Sequence, residues 1–521
     1  MSGLAKLKDS KSGARALYHS KTGYKQVKVF PEWTSAHAIP LVGRFTRVCC
    51  VFWLLIFAAA FGVVVWQTVV SVEKYRAYNV SVQQTLSFNS MSFPAVTLCD
   101  LNPYKRDEAY KIAEVQTLME AYEYALQKSY CTNTTCNVAT NTTLDDYLEK
   151  VGLSGVKSST AINSKAQRLL TLVTGTTDMT EAGAQYSGFL QGCSFNTQDC
   201  QENDWTKFDS QSMGTCFIFN LAATRNVSRV GPIYGLRVIL KTNVSQLLPT
   251  STKGGFRVLV HDQGEYPFPD VYGSDVMIGS APSLGVSFTD ISRLSSPYGN
   301  CHSDIPEGYL YPKNYSTEGC MRSEYQAQMV EVCGCYDPTY PAPVNASTNI
   351  DNVYEEINNA TFASVDSNET TTVAATTASG VPVCTMSDIT CWTSQIDAFT
   401  TTNCTQPCYE IAYETSLSFA MWPSGSTSTI GLCMSGDYGN ETCLEMYQEN
   451  GALLQIYFEY QSYEKMLESA QYPKSTFLSN FGGQLGLWLG GSIIMLIEFV
   501  LLLLQFIITF CAPVCDRFIG Y

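Results

Sequence analysis

The stretch FGGQLGLWLGGSIIMLIEFVLLLLQ, Phe481–Gln505, sits inside a 41-residue run from Ser475 to Cys515 whose one charge is Glu498. At about 1.5 Å per residue a helix of that length would reach roughly 60 Å, twice the roughly 30 Å of bilayer hydrocarbon. The run therefore holds more than one simple span, or a span that is broken and prolonged beyond the bilayer. Gly482, Gly486 and Gly490 recur every four residues and share a helix face. Ordinary small-residue packing accounts for these glycines taken alone. Gly490-Gly491-Ser492 adds carbonyls and a hydroxyl where bulky side chains are absent, and such groups replace water around a small cation. Glu498 follows about two turns later, and an intramembrane carboxylate is costly enough to mark function. Irregular backbone at membrane depth is tolerated only where protein buries it or where it lines water. Two helices cannot enclose a pore, so the pattern calls for several chains, a homo-oligomer with a ring of Glu498 carboxylates.

A second apolar run, Val48–Val72, has 25 residues without a charge, enough to span. Residues 1–47 carry nine Lys/Arg against Asp9 and Glu32, which the positive-inside rule places in the cytoplasm. That segment is too long and polar for a signal-peptide n-region, so the first helix reads as a signal anchor. The chain then divides into a cytoplasmic segment (1–47), a first transmembrane helix (48–72), an extracellular part (73–474), a second span carrying the pore (475–515) and a cytoplasmic tail (516–521). This predicts a multi-pass plasma-membrane protein with both termini inside.

Composition agrees with that division. Of 521 residues 15% are charged, against about 25% in an average globular chain. Mean hydropathy near zero excludes a many-span transporter. A net charge of −15 excludes a nucleic-acid partner, which needs a basic footprint. Segment 73–474 alone holds 22 Lys/Arg and 43 Asp/Glu, a net −21. Such a surface attracts cations and basic ligands, or is simply well solvated. All eleven N-x-S/T sequons lie there, at Asn79, Asn133, Asn141, Asn226, Asn243, Asn314, Asn345, Asn359, Asn368, Asn403 and Asn440. So do sixteen of the twenty cysteines, an even number that fits a disulfide framework outside the cell. Cys49, Cys50, Cys511 and Cys515 fall at the inner ends of the spans, as palmitoylation sites or as small apolar residues.

Within 73–474, Leu86–Leu98 reads as strand and Pro103–Gln127 as a helix, with Ile112, Val115, Leu118, Met119, Tyr122 and Leu126 at helical spacing. Thr140–Leu153 and Lys165–Val173 read as short helices. Cys216–Asn220, Tyr234–Leu240, Gly255–His261 and Leu453–Tyr463 read as strands. Residues 341–380, rich in Thr, Ala, Asn and Ser with three sequons, read as a glycosylated, poorly ordered insertion. No 20–50-residue repeat points to a solenoid.

Several motifs, in order over about 400 residues, resemble the degenerin / epithelial sodium channel / acid-sensing ion channel superfamily: FPAVTLCDLNPYK (Phe93–Lys105), CSFNTQDC with GTCFIFN (Gly214–Asn220), GPIYGL (Gly231–Leu236), RLSSPYGNC (Arg293–Cys301), CGC (Cys333–Cys335), CTQPC (Cys404–Cys408), MWPS (Met421–Ser424) and GGQLGLWLGGSIIMLIE. The resemblance implies an α+β membrane protein: two transmembrane helices and a disulfide-rich ectodomain of β-sheet palm and β-ball with helical finger (104–192), thumb (301–408) and knuckle, assembled as a trimer. It implies a sodium-selective, amiloride-sensitive cation channel, not an enzyme, with permeant Na+ and no cofactor or protein-bound metal. Gly490-Gly491-Ser492 then corresponds to the selectivity motif, Gly486 to the amiloride-contact position, and Ser479 to the position where bulky replacements hold degenerins open. Tyr298 is similar to the thumb aromatic that couples the ectodomain to the first span, with Tyr78 its partner. The implied disulfides are Cys99–Cys216, Cys193–Cys200, Cys301–Cys408, Cys320–Cys404, Cys333–Cys391 and Cys335–Cys384, with Cys131–Cys136 and Cys433–Cys443 as local pairs. Glu324 and Thr402 stand where acid-sensing relatives have one more pair. His37-Ala38 replaces the family's His-Gly, which influences opening; alanine lacks glycine's access to positive φ.

The stimulus is less legible. A short RFamide-type neuropeptide is cationic and aromatic. It suits an acidic surface whose finger and palm segments are rich in rings, with Tyr110, Tyr122 and Phe195 as candidate contacts through cation–π interaction. Protons acting on close carboxylate pairs are an alternative, as is constitutive or mechanical opening. Only His261 and His302 are outside, which disfavours a histidine sensor. A homotrimer is expected, with a heteromer left open. ATP-gated channels share the two-span plan but need clustered outer Lys/Arg. A receptor or ectoenzyme would not need the intramembrane glycine-serine-carboxylate group, and no Walker, HExxH or GxSxG motif is present.

Overall fold

The computed structural model describes residues 47–88, 91–131, 138, 140–343, 362–364, 380–400, 403–424, 443–492, 495 and 497–504. These form two compact units: one from Met1–Ser81 with Ser469–Tyr521, and one from Val82–Glu468. The smaller unit begins with α1, Arg47–Arg76. Its Val51–Arg76 part is long and apolar enough to cross a membrane, with a mean hydropathy of 2.1 over an 18-residue window. The helix outruns the uncharged stretch by one turn, so that Lys74 and Arg76 stand in its last turn, where cations complement the helix dipole.

The larger unit is built on two sheets. Its strands are β1 (Val80–Ser87), β2 (Met91–Ser92), β3 (Ala95–Asp100), β4 (Leu190–Phe195), β5 (Gln198–Asp199), β6 (Trp205–Ser210), β7 (Gly214–Phe219), β8 (Asn226–Val227), β9 (Leu236–Lys241), β10 (Gly255–His261), β11 (Ser274–Met277), β12 (Ser280–Ser292), β13 (Phe362–Ser364), β14 (Tyr409–Met421), β15 (Gly451–Phe458) and β16 (Tyr463–Ala470). The eight-stranded sheet runs β1-β16-β12-β15-β9-β4-β5, with β14 also on β12; the six-stranded sheet runs β11-β10-β3-β7-β6-β13; β2 pairs with β8.

β3, the AVTLCD of the first motif, is buried along nearly its whole length because it is central, flanked by β10 and β7. A continuous apolar run is what a strand covered on both faces needs. Cys99 and Cys216 face each other across β3 and β7 and are bonded, with Cα atoms 4.3 Å apart. Phe93, fully buried, sits edge-on to Phe195 (5.0 Å between centroids), Phe458 (6.0 Å) and Phe219 (6.1 Å). These edge-to-face contacts join strands of both sheets.

A helical lobe follows β3: α2 (Arg106–Ala109), α3 (Ala113–Tyr130), α4 (Thr142–Lys150) and α5 (Ser159–Thr174). The single helix expected over 103–127 is broken at 110–112. α5 starts six residues earlier than expected because Ser158 caps it, accepting from the Ala161 N–H. Val115, Leu118, Met119 and Tyr122 of α3 are buried with Ile162, Ala166 and Leu169 of α5.

The 13-residue ladder of β12 with β14, from Ser280↔Met421 to Ser292↔Tyr409, was not anticipated. Nor was β16, which intervenes between β15 and the second apolar run. α6 (Tyr186–Phe189) leads into β4. α7 (Thr317–Cys333) is capped by Ser316 and stopped by Gly334 at φ +70. Disulfides Cys320–Cys404, Cys333–Cys391 and Cys335–Cys384 tie it down, the second of them to α8 (Ile389–Ala398). α9 (Cys443–Asn450) precedes β15. With Cys193–Cys200 and Cys301–Cys408, these are the six pairs the resemblance implies. Cys131 and Cys443 are each disulfide-bonded as well, while their expected partners Cys136 and Cys433 lie outside the described residues. The insertion needs one correction: residues 362–364 form a strand on β6, with Phe362 opposite Phe208. Most of 341–380 otherwise lies outside the described residues.

Replacing Cys99 and Cys216 together by Ser should lower unfolding stability by about 2–5 kcal/mol, read as a fall in the thermal midpoint of purified protein. An unchanged midpoint would mean that the β3–β7 pairing carries the strain-free geometry without the bond.

Candidate pore and stimulus-sensing site

In the smaller unit, α10 (Lys474–Leu489) ends at Gly490. Gly490 has φ +59, a region that glycine enters without a Cβ penalty. The N–H groups of Gly490 and Gly491 both turn back to the Leu485 carbonyl. The chain runs non-helically through Gly491 and Ser492 and is helical again at 495 and 497–504. Ser492 Oγ accepts the Met495 N–H at 3.2 Å, the contact of a helix N-cap. Gly490-Gly491-Ser492 is therefore a helix stop, a turn and a helix start. The last-turn carbonyls of α10 fall outside its intrahelical ladder and carry the negative end of its dipole. Glu498 is half-buried on the resumed helix.

Among the described residues, Gly482 and Gly486 do not serve close packing inside one chain. A Cβ built at Gly482 meets nothing within 4 Å among the described residues, and one at Gly486 meets only the Gly491 carbonyl oxygen at 3.7 Å. α10 packs on α1 through other residues. Trp488 Nε1 donates to Gln67 Oε1 at 3.2 Å, Gln484 Nε2 donates to Ser71 Oγ at 3.4 Å, and the Tyr75 and Phe477 rings lie 5.6 Å apart. The signal that could have found these residues was polarity, Gln67 and Ser71 standing four apart in an apolar run.

In the larger unit a cavity of about 350 Å³ opens between the 265–274 loop and the start of β14, lined by His261, Glu265, Tyr266, Tyr272, Glu410 and Tyr413 among others. Burial, reinforced by the nearby Glu410 and Asp262 carboxylates, pushes Glu265 up to about 7. Glu410 is paired with Arg293 Nη1 at 2.8 Å. Among the described residues, the Glu265 side chain has no hydrogen bond or ion pair. His261 is different. Its Nδ1 lies 2.9 Å from the Asp262 carbonyl, which can only accept, so Nδ1 holds the proton and Nε2 accepts from the Thr97 hydroxyl at 2.8 Å. Burial of this neutral ring pulls its pKa down to about 4.

The amiloride-sensitive sodium channel family model matches residues 30–502. The chain belongs to this family. It is 33% identical to degenerin unc-8 of Caenorhabditis elegans over 67% of this chain and 43% of that protein. It is 34% identical to degenerin-like protein unc-105 of the same organism over 70% of this chain and 40% of that protein. It is 29% identical to degenerin-like protein asic-2, also of Caenorhabditis elegans, over 92% of this chain and 87% of that protein. The chain thus spans less than half of the first two and most of the third. Proteins of this family are ion channels rather than enzymes.

The family positions fall as follows. Ser479 is exposed on α10. Tyr78, at φ +48 just past α1, lies 6.1 Å from the Tyr75 ring. Tyr298 belongs to the larger unit, half-buried, its N–H donating to the Ser295 carbonyl at 3.1 Å. His37 and Ala38 lie outside the described residues. Asn79, Asn141, Asn226, Asn243, Asn314 and Asn403 are exposed; the other five sequon asparagines lie outside the described residues. Two candidate ligand contacts need correction. Tyr122 (3% exposed) and Phe195 (6%) are core residues: Tyr122 is on the buried face of α3, and Phe195 packs on Phe93. Tyr110 alone is half-buried. Ring-rich segments here fill the core rather than coat the surface.

The two cavity groups give opposite pH limbs. Glu265 is raised on folding, so its contribution is full below about pH 4.5 and lost as pH rises through about 7. His261 is depressed, so its contribution is full above about 6.5 and lost as pH falls through about 4. Glu265→Gln should therefore raise the thermal midpoint above wild type at pH 8, with the difference shrinking as pH falls and vanishing below about 4.5. Equal midpoints at pH 8 would show that the surroundings do not raise the Glu265 pKa.

Proposed function

We propose that this chain is the subunit of a trimeric, sodium-selective, amiloride-sensitive cation channel of the plasma membrane, opened from outside by a ligand. The observation that carries this reading is the break at Gly490-Gly491-Ser492, which leaves helix-end carbonyls and a hydroxyl in an otherwise apolar run. α1 and the 475–515 run are then the two spans, and segment 73–474 is the extracellular palm, β-ball, finger, thumb and knuckle. Gly490–Ser492 selects Na+, Glu498 rings the inner pore, Gly486 meets the blocker and Ser479 lies where bulk would hold the pore open.

For the stimulus, a short RFamide-type neuropeptide fits the net −21 of segment 73–474. With Tyr122 and Phe195 in the core, charge rather than ring contact supports it. A proton is a second reading, favoured by Glu265 beside Glu410 in the cavity. Acidification through about pH 7 neutralises Glu265 and removes its repulsion from Glu410.

Expressed alone in oocytes, the chain should carry an amiloride-blocked inward Na+ current on application of RFamide peptides or on stepping from pH 8 to 6. Glu265→Gln should blunt the acid response and leave a peptide response intact. Silence under both stimuli would sink the homomeric channel reading, and an undiminished acid response in Glu265→Gln would sink the proton site.

A further inference from the structure

The three contacts between α1 and α10 form an antiparallel ladder: Gln67 with Trp488, Ser71 with Gln484, Tyr75 with Phe477. On α1 the members step by four residues; on α10 the two polar members also step by four. Both helices therefore present one face to each other, turn for turn. Val64, which accepts from the Thr68 hydroxyl at 2.7 Å, and Ser71 are the buried residues of that face of α1, at 4% and 6% exposure. The ladder ends on Trp488, two residues before Gly490 leaves the helix. An indole N–H donor and a carboxamide acceptor fix both the rotation and the height of the last turn, which apolar contact alone would leave free to slide. Gln484 is the weaker rung: its Oε1 is buried with no partner among the described residues.

We propose that Gln67 and Ser71 are positioning residues for ion selection: through Trp488 and Gln484 they hold the last turn of α10 and so set where the Gly490–Ser492 carbonyls and hydroxyl stand. This rests on the channel reading of that break. Neither residue touches the permeant ion; each acts through a hydrogen bond across the helix pair. Because these bonds lie in an apolar run, there is no water to replace them when they are lost. Removing the acceptor at 67 should act on the same property as removing the donor at 488, and the two losses should not add.

The test is the Na+/K+ permeability ratio, from reversal potentials of the full chain in oocytes, with surface labelling to count channels at the membrane. Gln67→Met, Ser71→Ala and Trp488→Phe should each lower the ratio by about threefold, the scale of one interhelical hydrogen bond in a membrane. The Gln67→Met/Trp488→Phe double variant should fall no further than either single one. Ser71→Thr, which keeps the hydroxyl, should restore the ratio and separates this role from a packing defect. If wild type carries selective current and these variants keep its ratio, or if the Gln67 and Trp488 effects simply add, the inference is overturned and the channel reading stands. If wild type carries no selective current, both fall together.

Discussion

Inside a bilayer the backbone must satisfy its own polar groups, and on the proposed reading of 475–515 as a span Gly490-Gly491-Ser492 is where this chain stops doing so by helix. The N–H groups of Gly490 and Gly491 are taken by the Leu485 carbonyl, and that of Met495 by Ser492 Oγ. The last-turn carbonyls of α10 are left over. On its α10 side the break therefore leaves carbonyl acceptors, oxygen dipoles of the kind that replace water around a small cation. Glycine is needed at 490 because the turn reaches φ +59, which costs an L residue roughly 1–2 kcal/mol.

The larger unit is cross-linked where the smaller one is interrupted. Phe93 joins rings from both sheets, and Cys99–Cys216 bonds the central strands. The cavity loop is held from the far side. Arg322 of α7 pairs with Asp270 and Glu318, each at 2.7 Å, and stacks 4.6 Å from the Phe268 ring. Phe268 itself lines the cavity. The loop that carries Glu265 thus meets α7 through Asp270, five residues on, and across the cavity faces β14, which runs along β12 for thirteen residues.

Much of this was legible in the sequence, for identifiable reasons. The 25-residue uncharged run is long enough to span, and the 41-residue run exceeds one simple span, so a break at the glycines was one of its two readings. β3, β7 and β10 were readable because strands buried on both faces are continuously apolar. β12 and β14 were not: SAPSLGVSFTDIS and YEIAYETSLSFAM alternate small and polar residues on a half-exposed face, and neither carries a strong β signal alone. Their pairing is a tertiary fact. The aromatic residues misled for a related reason. Composition counts rings but not the side of the helix or strand they occupy, so Tyr122 and Phe195 read as surface when they are core. Glu265 was invisible because nothing in GEYPF reveals that burial, Glu410 and Asp262 converge on it.

On the proton reading, a histidine need not be the group that answers to mild acid. His261 lines the same space as Glu265, but both of its ring nitrogens are committed, one donating to a carbonyl and one accepting from a hydroxyl. Protonating it would put a second N–H against a hydroxyl that must then reverse, in a buried place, and its pKa falls to about 4. Glu265 has the opposite problem: its charged form is the costly one, and its pKa rises to about 7. Between those values acidification changes the carboxyl and leaves the imidazole neutral. The cavity then loses one negative charge beside Glu410, which keeps Arg293 as its partner. A fall in pH through neutrality therefore removes one carboxylate charge from the cavity, relaxing its repulsion from Glu410 and Asp262 without creating a new buried cation.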